Sequence, residues 1–249
     1  MDLETQQYQV PSQQMDSGEV SSKEERGVET LLKMNPRIGF IRKVYGIISF
    51  QMTITVIFCI CSMAFPSFAA FQFENPAIMI VAASLSLIIV LSLICFTKCS
   101  RRVPYNYVFL TIFTICEAYM VSSVCALTEP RIVIMAAVMT LGVTVSLTLY
   151  AFLTKNDFTI FAGFLFTTTS SLILSLIFMF FDFGFLHIFI CSLAVIVYGM
   201  YLVYDTQLII GGHHLELGYD EYIIGSLVIY LDIMVLFLRI LEILNAIKK

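Results

Sequence analysis

From Val44 onward the chain alternates between runs of about 20 apolar residues and short polar joints, and a run of that length crosses ~30 Å of hydrocarbon as an α-helix. Seven such runs can be read, at 44–65, 77–97, 105–127, 132–153, 158–181, 185–210 and 222–244. They are separated at Pro66, at Glu74 to Pro76, at Arg101 to Pro104, at Glu129 to Arg131, at Lys155 to Asp157, at Asp182 and Gly184, and over Gly211 to Glu221. Four of the six prolines stand at these joints, where a missing N–H does no harm. Hydrocarbon satisfies no backbone group, and the alternating ten-residue segments of a barrel are absent, so the runs must be helices. The pattern predicts an all-α membrane protein, a seven-transmembrane helical bundle occupying residues 36–249. Residues 1–35 are rich in Gln, Ser, Glu and Lys and lack an apolar run, which predicts a disordered tail. The first run starts too far along the chain for a cleavable signal, so an internal span is expected to start membrane entry.

Composition agrees with a lipid environment. Of the 249 residues 59% are hydrophobic and only 13% charged, well past the apolar share of a water-soluble domain. A net charge of −4 offers no basic field, which excludes nucleic acid as a partner. The cations set the orientation. Lys23, Arg26, Lys33, Arg37, Arg42 and Lys43 precede the first run, Lys98, Arg101 and Arg102 follow the second, and Lys155 follows the fourth, so the N-terminus is expected in the cytosol. The last run is the exception. Seven crossings leave Lys248 and Lys249 on the far side, whereas six crossings and a re-entrant last segment would return them; the length of 222–244 favours seven.

Seven cysteines do not form a disulfide framework: the count is odd, and Cys59, Cys61, Cys95, Cys116, Cys125 and Cys191 lie inside apolar runs, where buried free thiols are expected. Cys99, beside Lys98, Arg101 and Arg102, is a palmitoylation candidate. Adjacent His213 and His214, with Glu216, Asp220 and Glu221, lack metal-ligand spacing and read as a solvated loop. Its acidity on an otherwise cationic face would attract cations to the cytosolic mouth or pair with Arg101 and Arg102. Phosphate loops, zinc-protease and nucleophile-elbow motifs are absent. No catalytic residue or cofactor is expected.

Ionisable groups at membrane depth cost at least ~2.5–3.5 kcal/mol each and so call for a reason. Three stand out: Glu117, Asp205 and Asp232. Asp205 lies about six residues before the last joint and Asp232 about ten after it, roughly 9 and 15 Å from one face at 1.5 Å per residue. If the two helices pack together, the carboxyl groups can meet. Two carboxylates in a low-dielectric core cannot both ionise cheaply, so such a pair shares one proton and works as a pH-dependent latch. Deprotonated, the same oxygens suit transient Ca²⁺. Glu117 would add a third acid on the same path. The plainer alternative is that each acid is neutralised by a structural hydrogen bond or by Arg101, Arg102 or Arg239.

These residues fall into a familiar order. Tyr204-Asp205-Thr206-Gln207, then Tyr219-Asp220-Glu221-Tyr222, then Leu227 to Ile233 with Phe237-Leu238 resemble the C-terminal signature of the transmembrane Bax inhibitor motif family, Lifeguard branch. Arg42 to Gly46, Pro104-Tyr105-Asn106, Glu117-Ala118 and Lys155 to Phe158 fit the same pattern in order. The resemblance implies a seven-helix bundle with the last helix central. It further implies that Asp205 and Asp232 are a proton-sensing pair with Arg101 or Arg102 as latch partner. It also implies a pH-sensitive Ca²⁺ leak from endoplasmic reticulum or Golgi stores and suppression of cell death. The Pro-rich tail of many Lifeguard relatives is missing: residues 1–35 hold only Pro11.

Two functions compete. In the first, a passive Ca²⁺ pathway gated by Asp205 and Asp232 lowers store calcium. In the second, a non-conducting scaffold restrains death signalling by binding apoptosis-regulating membrane proteins. A proton-coupled transporter lacks its broken-helix pair, and a seven-span receptor would have the opposite orientation.

Overall fold

The computed structural model describes residues 17–95, 101–175 and 184–248. Among them every regular element is helical: α1 (Ser17–Ala64), α2 (Pro66–Glu74), α3 (Pro76–Cys95), α4 (Tyr105–Ala126), α5 (Pro130–Leu153), a 3-10 turn (Phe158–Phe161), α6 (Ala162–Ser175), α7 (Gly184–Ile210) and α8 (Tyr222–Lys248). Proline opens α2, α3 and α5, where its fixed φ suits a first helical residue and its missing N–H would have gone unpaired anyway.

Among the described residues five helices are long and apolar enough to cross a membrane: Pro36–Ala64 of α1, α3, α4, α5 and His187–Ile210 of α7. Their outer faces expose Ile57, Ile60, Leu87, Ile88, Val138 and Leu141, an apolar coat that only lipid covers without penalty. Polar side chains on these faces satisfy themselves: Ser84 and Ser92 donate to the carbonyls of Ile80 and Ile88 at 2.8 and 2.7 Å, one turn back. The protein is an integral, multi-pass membrane protein.

The apolar runs beginning at 44, 77, 105, 132 and 185 coincide with these five helices. The run at 158–181 starts as the 3-10 turn and α6, and its end lies outside the described residues, as do Cys99 and the first sixteen residues of the polar tail. From Ser17 the backbone already belongs to α1. The last run, α8, has 27 residues, ample length at 1.5 Å each, but Asp232, Arg239 and Glu242 set it apart in polarity, and it is not among the five. The short helix α2 was not anticipated. Its Gln72 is buried, bonded to Ser62 of α1 and donating to Ser122 of α4 at 2.9 Å, which seals one end of the bundle.

Packing concentrates on α8, which touches α1, α4, α5 and α7. Ile223, Leu227, Tyr230, Leu236 and Leu241 are fully enclosed. Tyr230 shows what fixes the rotation of α8: the ring stands edge-on to Phe113 of α4 at 5.9 Å and the hydroxyl meets Thr55 of α1 at 2.9 Å. The described cysteines, Cys59, Cys61, Cys95, Cys116, Cys125 and Cys191, are free thiols.

Candidate functional site

α7 and α8 form an antiparallel pair joined by residues 211–221. Asp205 lies five residues from the end of α7 and Asp232 ten from the start of α8, so both sit within about 15 Å of the joint. Side-chain bonds turn the two helices so that these residues face each other. On α8, Tyr230 and Asp232 are separated by about 200° of helical rotation; with Tyr230 pinned to α1 and α4, Asp232 points at α7. The Asp205 and Asp232 carboxyl groups lie close enough to act on one another, and both residues are buried, at 7% and 5% exposure. An ionised carboxylate can only accept, so a bond between two carboxyl groups requires one proton between them. The second oxygen of Asp232, Oδ2, is buried with no hydrogen-bond partner.

Other candidates are placed elsewhere. Glu117 lies near Ser86 of α3 and near Tyr230 of α8, the residue that faces α1 and α4. Arg101 reaches Glu221 at 2.9 Å rather than either aspartate, and Arg102 is exposed. Glu221 also accepts from the Gly218 N–H at 2.9 Å. Burial pushes its carboxyl up, but the Gly218 N–H and the Arg101 guanidinium outweigh that and hold it below the ordinary value. Glu216 accepts from the Gly212 N–H at 2.9 Å, so two of the three mouth acids shape the joint itself. Asp220 is exposed.

A polar roof closes this end of the bundle over the Asp pair. Gln207, fully buried, donates to the Asn156 carbonyl and accepts from the Phe158 N–H, both at 2.8 Å. Asp157 accepts from the Thr159 hydroxyl at 2.5 Å and from the His214 N–H at 2.7 Å. The Thr159 hydroxyl, helped by the His214 and Thr159 amides, holds the Asp157 carboxyl below its usual range.

The strongest tie is Arg37, which sequence reasoning counted only as one of several cytosolic cations. Its guanidinium donates to the carbonyls of Ile210, Leu217 and Leu208 at 2.9, 2.7 and 2.6 Å and lies against the Phe40 and Tyr219 rings. The last carbonyls of a helix lack intrahelical donors and carry its negative dipole end. Arg37 supplies both hydrogen bonds and positive charge to that end of α7. The closing turn uses Gly211 in the left-handed region at φ +74°, the usual way out of a helix.

A multi-helix membrane bundle with a buried carboxyl pair across its last two helices defines the class, and sequence similarity gives the family. Residues 37–249 match the family described as inhibitor of apoptosis-promoting Bax1. Relatives include protein lifeguard 3 of Homo sapiens, 32% identical over 214 residues spanning 84% of this chain and 69% of that protein. The BI1-like protein of Arabidopsis thaliana is 36% identical over 214 residues, 84% of this chain and 81% of that protein. Bax inhibitor 1 of Schizosaccharomyces pombe is 33% identical over 215 residues, 86% and 78% of the two chains. The chain belongs to the Bax inhibitor family, and its relatives include Lifeguard proteins.

Proposed function

We propose that this protein is a pH-sensitive Ca²⁺ leak pathway of intracellular membranes, gated by Asp205 and Asp232, which lowers store calcium and thereby suppresses cell death. The observation that carries this reading is the juxtaposition of two buried carboxyl groups on neighbouring helices. One shared proton holds the pair together. Its loss leaves two like charges in a low-dielectric core, which must separate or recruit a cation. The unpartnered Asp232 Oδ2 is a free oxygen of the kind Ca²⁺ prefers. Glu117, near Tyr230, is a separate acid rather than part of the pair. The names of the relatives support the anti-apoptotic outcome, and the endoplasmic reticulum or Golgi is the store.

In this reading the bundle has seven crossings, α8 stands at its centre and the N-terminus is cytosolic. Support comes from the ends of α8. It starts beside the Arg101–Glu221 pair and finishes with Lys248 paired to Glu129, in the turn before α5. The two ion pairs lie at opposite ends of α4, so α8 traverses the full height of the bundle.

The test is Ca²⁺ flux from liposomes holding the purified protein, scanned from about pH 5 to 8, the range in which a coupled pair titrates. The double variant Asp205→Asn, Asp232→Asn is expected to lose the pH dependence; an unchanged profile refutes gating by the pair. A scaffold function is favoured by one observation, the exposed acidic joint 211–221 held in a fixed shape by Arg37. It predicts that protection from cell death survives the double Asn variant and fails when that joint is exchanged.

A further inference from the structure

At the end of the bundle remote from the Asp pair, α7 and α8 bring together a second set of chemically distinctive side chains. His187 and Cys191 stand four residues apart, one above the other on α7, and Glu242 faces them from α8. His187 Nε2 lies 3.0 Å from Glu242 Oε1 and 3.8 Å from Cys191 Sγ, and the three donor atoms are all within 4.8 Å of one another.

We propose that His187, Cys191 and Glu242 form a binding site for a borderline divalent cation of the zinc type, with water in the fourth position. Zn–N, Zn–O and Zn–S bonds of about 2.05, 2.1 and 2.3 Å at tetrahedral angles place N and O about 3.4 Å apart and S and N about 3.6 Å apart. The observed separations differ from these by about 0.4 Å or less, within the reach of small side-chain rotations. Thiolate and imidazole exclude Ca²⁺ and Mg²⁺, which take oxygen ligands, and select Zn²⁺ and its neighbours. Binding releases the Cys191 thiol proton. Thiolate, carboxylate and neutral imidazole then balance the two positive charges, which suits a site at the edge of a membrane.

Two further features fit a ligand site better than a bare ion pair. Arg239, three residues before Glu242 on α8, donates to the second oxygen of that carboxylate, Oε2, at 2.6 Å, leaving Oε1 turned toward His187. Outer partners of this kind orient metal ligands. A cleft of about 280 Å³ between α4 and α8, with Thr128 and Asn245 on its walls, borders Glu242 and Arg239. A bare His187–Glu242 pair would give Cys191 no part. Because the ligands come from both helices that carry the Asp pair, an ion here clips α7 to α8 at their far end.

The full-length protein in lipid nanodiscs, kept reduced, is titrated with Co²⁺ as a spectroscopic substitute for Zn²⁺. One equivalent is expected to produce a thiolate-to-cobalt charge-transfer band that added Zn²⁺ removes. Cys191→Ser is expected to abolish the band and Cys125→Ser to keep it. His187→Gln and Glu242→Gln should each weaken Co²⁺ binding about ten-fold or more. No band in the unaltered protein, or a band of full intensity in Cys191→Ser, overturns the proposal.

Discussion

Replacing Arg37 by Met keeps most of the side chain's length and removes all three carbonyl bonds that join α1 to the end of α7 and the following joint. A hydrogen bond to a charged group is worth about 1.5–3 kcal/mol net, so even the low end totals about 4.5 kcal/mol for three. Arg37 is only half-buried, and the freed carbonyls regain water, which returns part of that. A local loss of about 2–3 kcal/mol remains, equivalent to roughly 30- to 150-fold in the opening equilibrium of the joint. Hydrogen–deuterium exchange of peptides covering 208–218, with the protein in nanodiscs, reads this directly: protection is expected to fall by that factor while peptides from α3 stay unchanged. Arg37→Lys should recover only part, because one ammonium cannot reach three diverging acceptors with the geometry of a planar fork. Unaltered exchange at 208–218 in Arg37→Met would mean that the joint is held by its own turns and that Arg37 is incidental.

Two further outcomes follow from the same roof. Gly211→Ala places a methyl carbon 2.6 Å from the Arg37 Cζ at φ +74°, whereas a Cβ on Gly212, at φ +77°, meets nothing within 4 Å. Both variants bear the left-handed penalty of about 1–2 kcal/mol, but only Gly211→Ala should also loosen the joint as Arg37→Met does, and equal exchange in the two would refute the contact. For Asp157, a carboxyl held below its ordinary value of 3.8 contributes stability that is complete above that value and is lost as pH falls through the lower folded one. The melting-temperature difference between the unaltered protein and Asp157→Asn should therefore stay constant down to about pH 4 and shrink below it; a difference that is flat to about pH 3 would contradict this.

Most of the helical architecture was legible because its determinants are local. Pro76 and Pro130 stand at joints in the sequence and open helices in space, and apolar length alone identifies α3, α4 and α5. Asp205 and Asp232 were legible for a different reason: a charge among apolar neighbours is conspicuous, and helical rise sets its depth. What sequence could not supply was rotation and distant pairing. Glu117 had a depth like theirs, but only the structure puts it near Tyr230, the residue fixed by Phe113 and Thr55. Arg37 and its acceptors are separated by more than 170 residues, and nothing distinguishes it locally from Arg42 or Lys43. For Arg101 the sequence left two partners open, the aspartates and the acidic joint, and it meets Glu221 of the joint, since its side chain sits at the water-facing rim. His187 and Cys191 show one-turn spacing, yet only the register of α8 supplies Glu242.

The eleven-residue spacing between α7 and α8 also bears on how the chain is made. During synthesis α7 emerges first, with Asp205 still solitary and costing ~2.5–3.5 kcal/mol to submerge in hydrocarbon. Its remedy follows within the next few dozen residues of translation. A translocation machine that releases the two segments as one hairpin lets each acid enter already matched. Release of α7 alone would leave it hovering at the interface until its successor arrived.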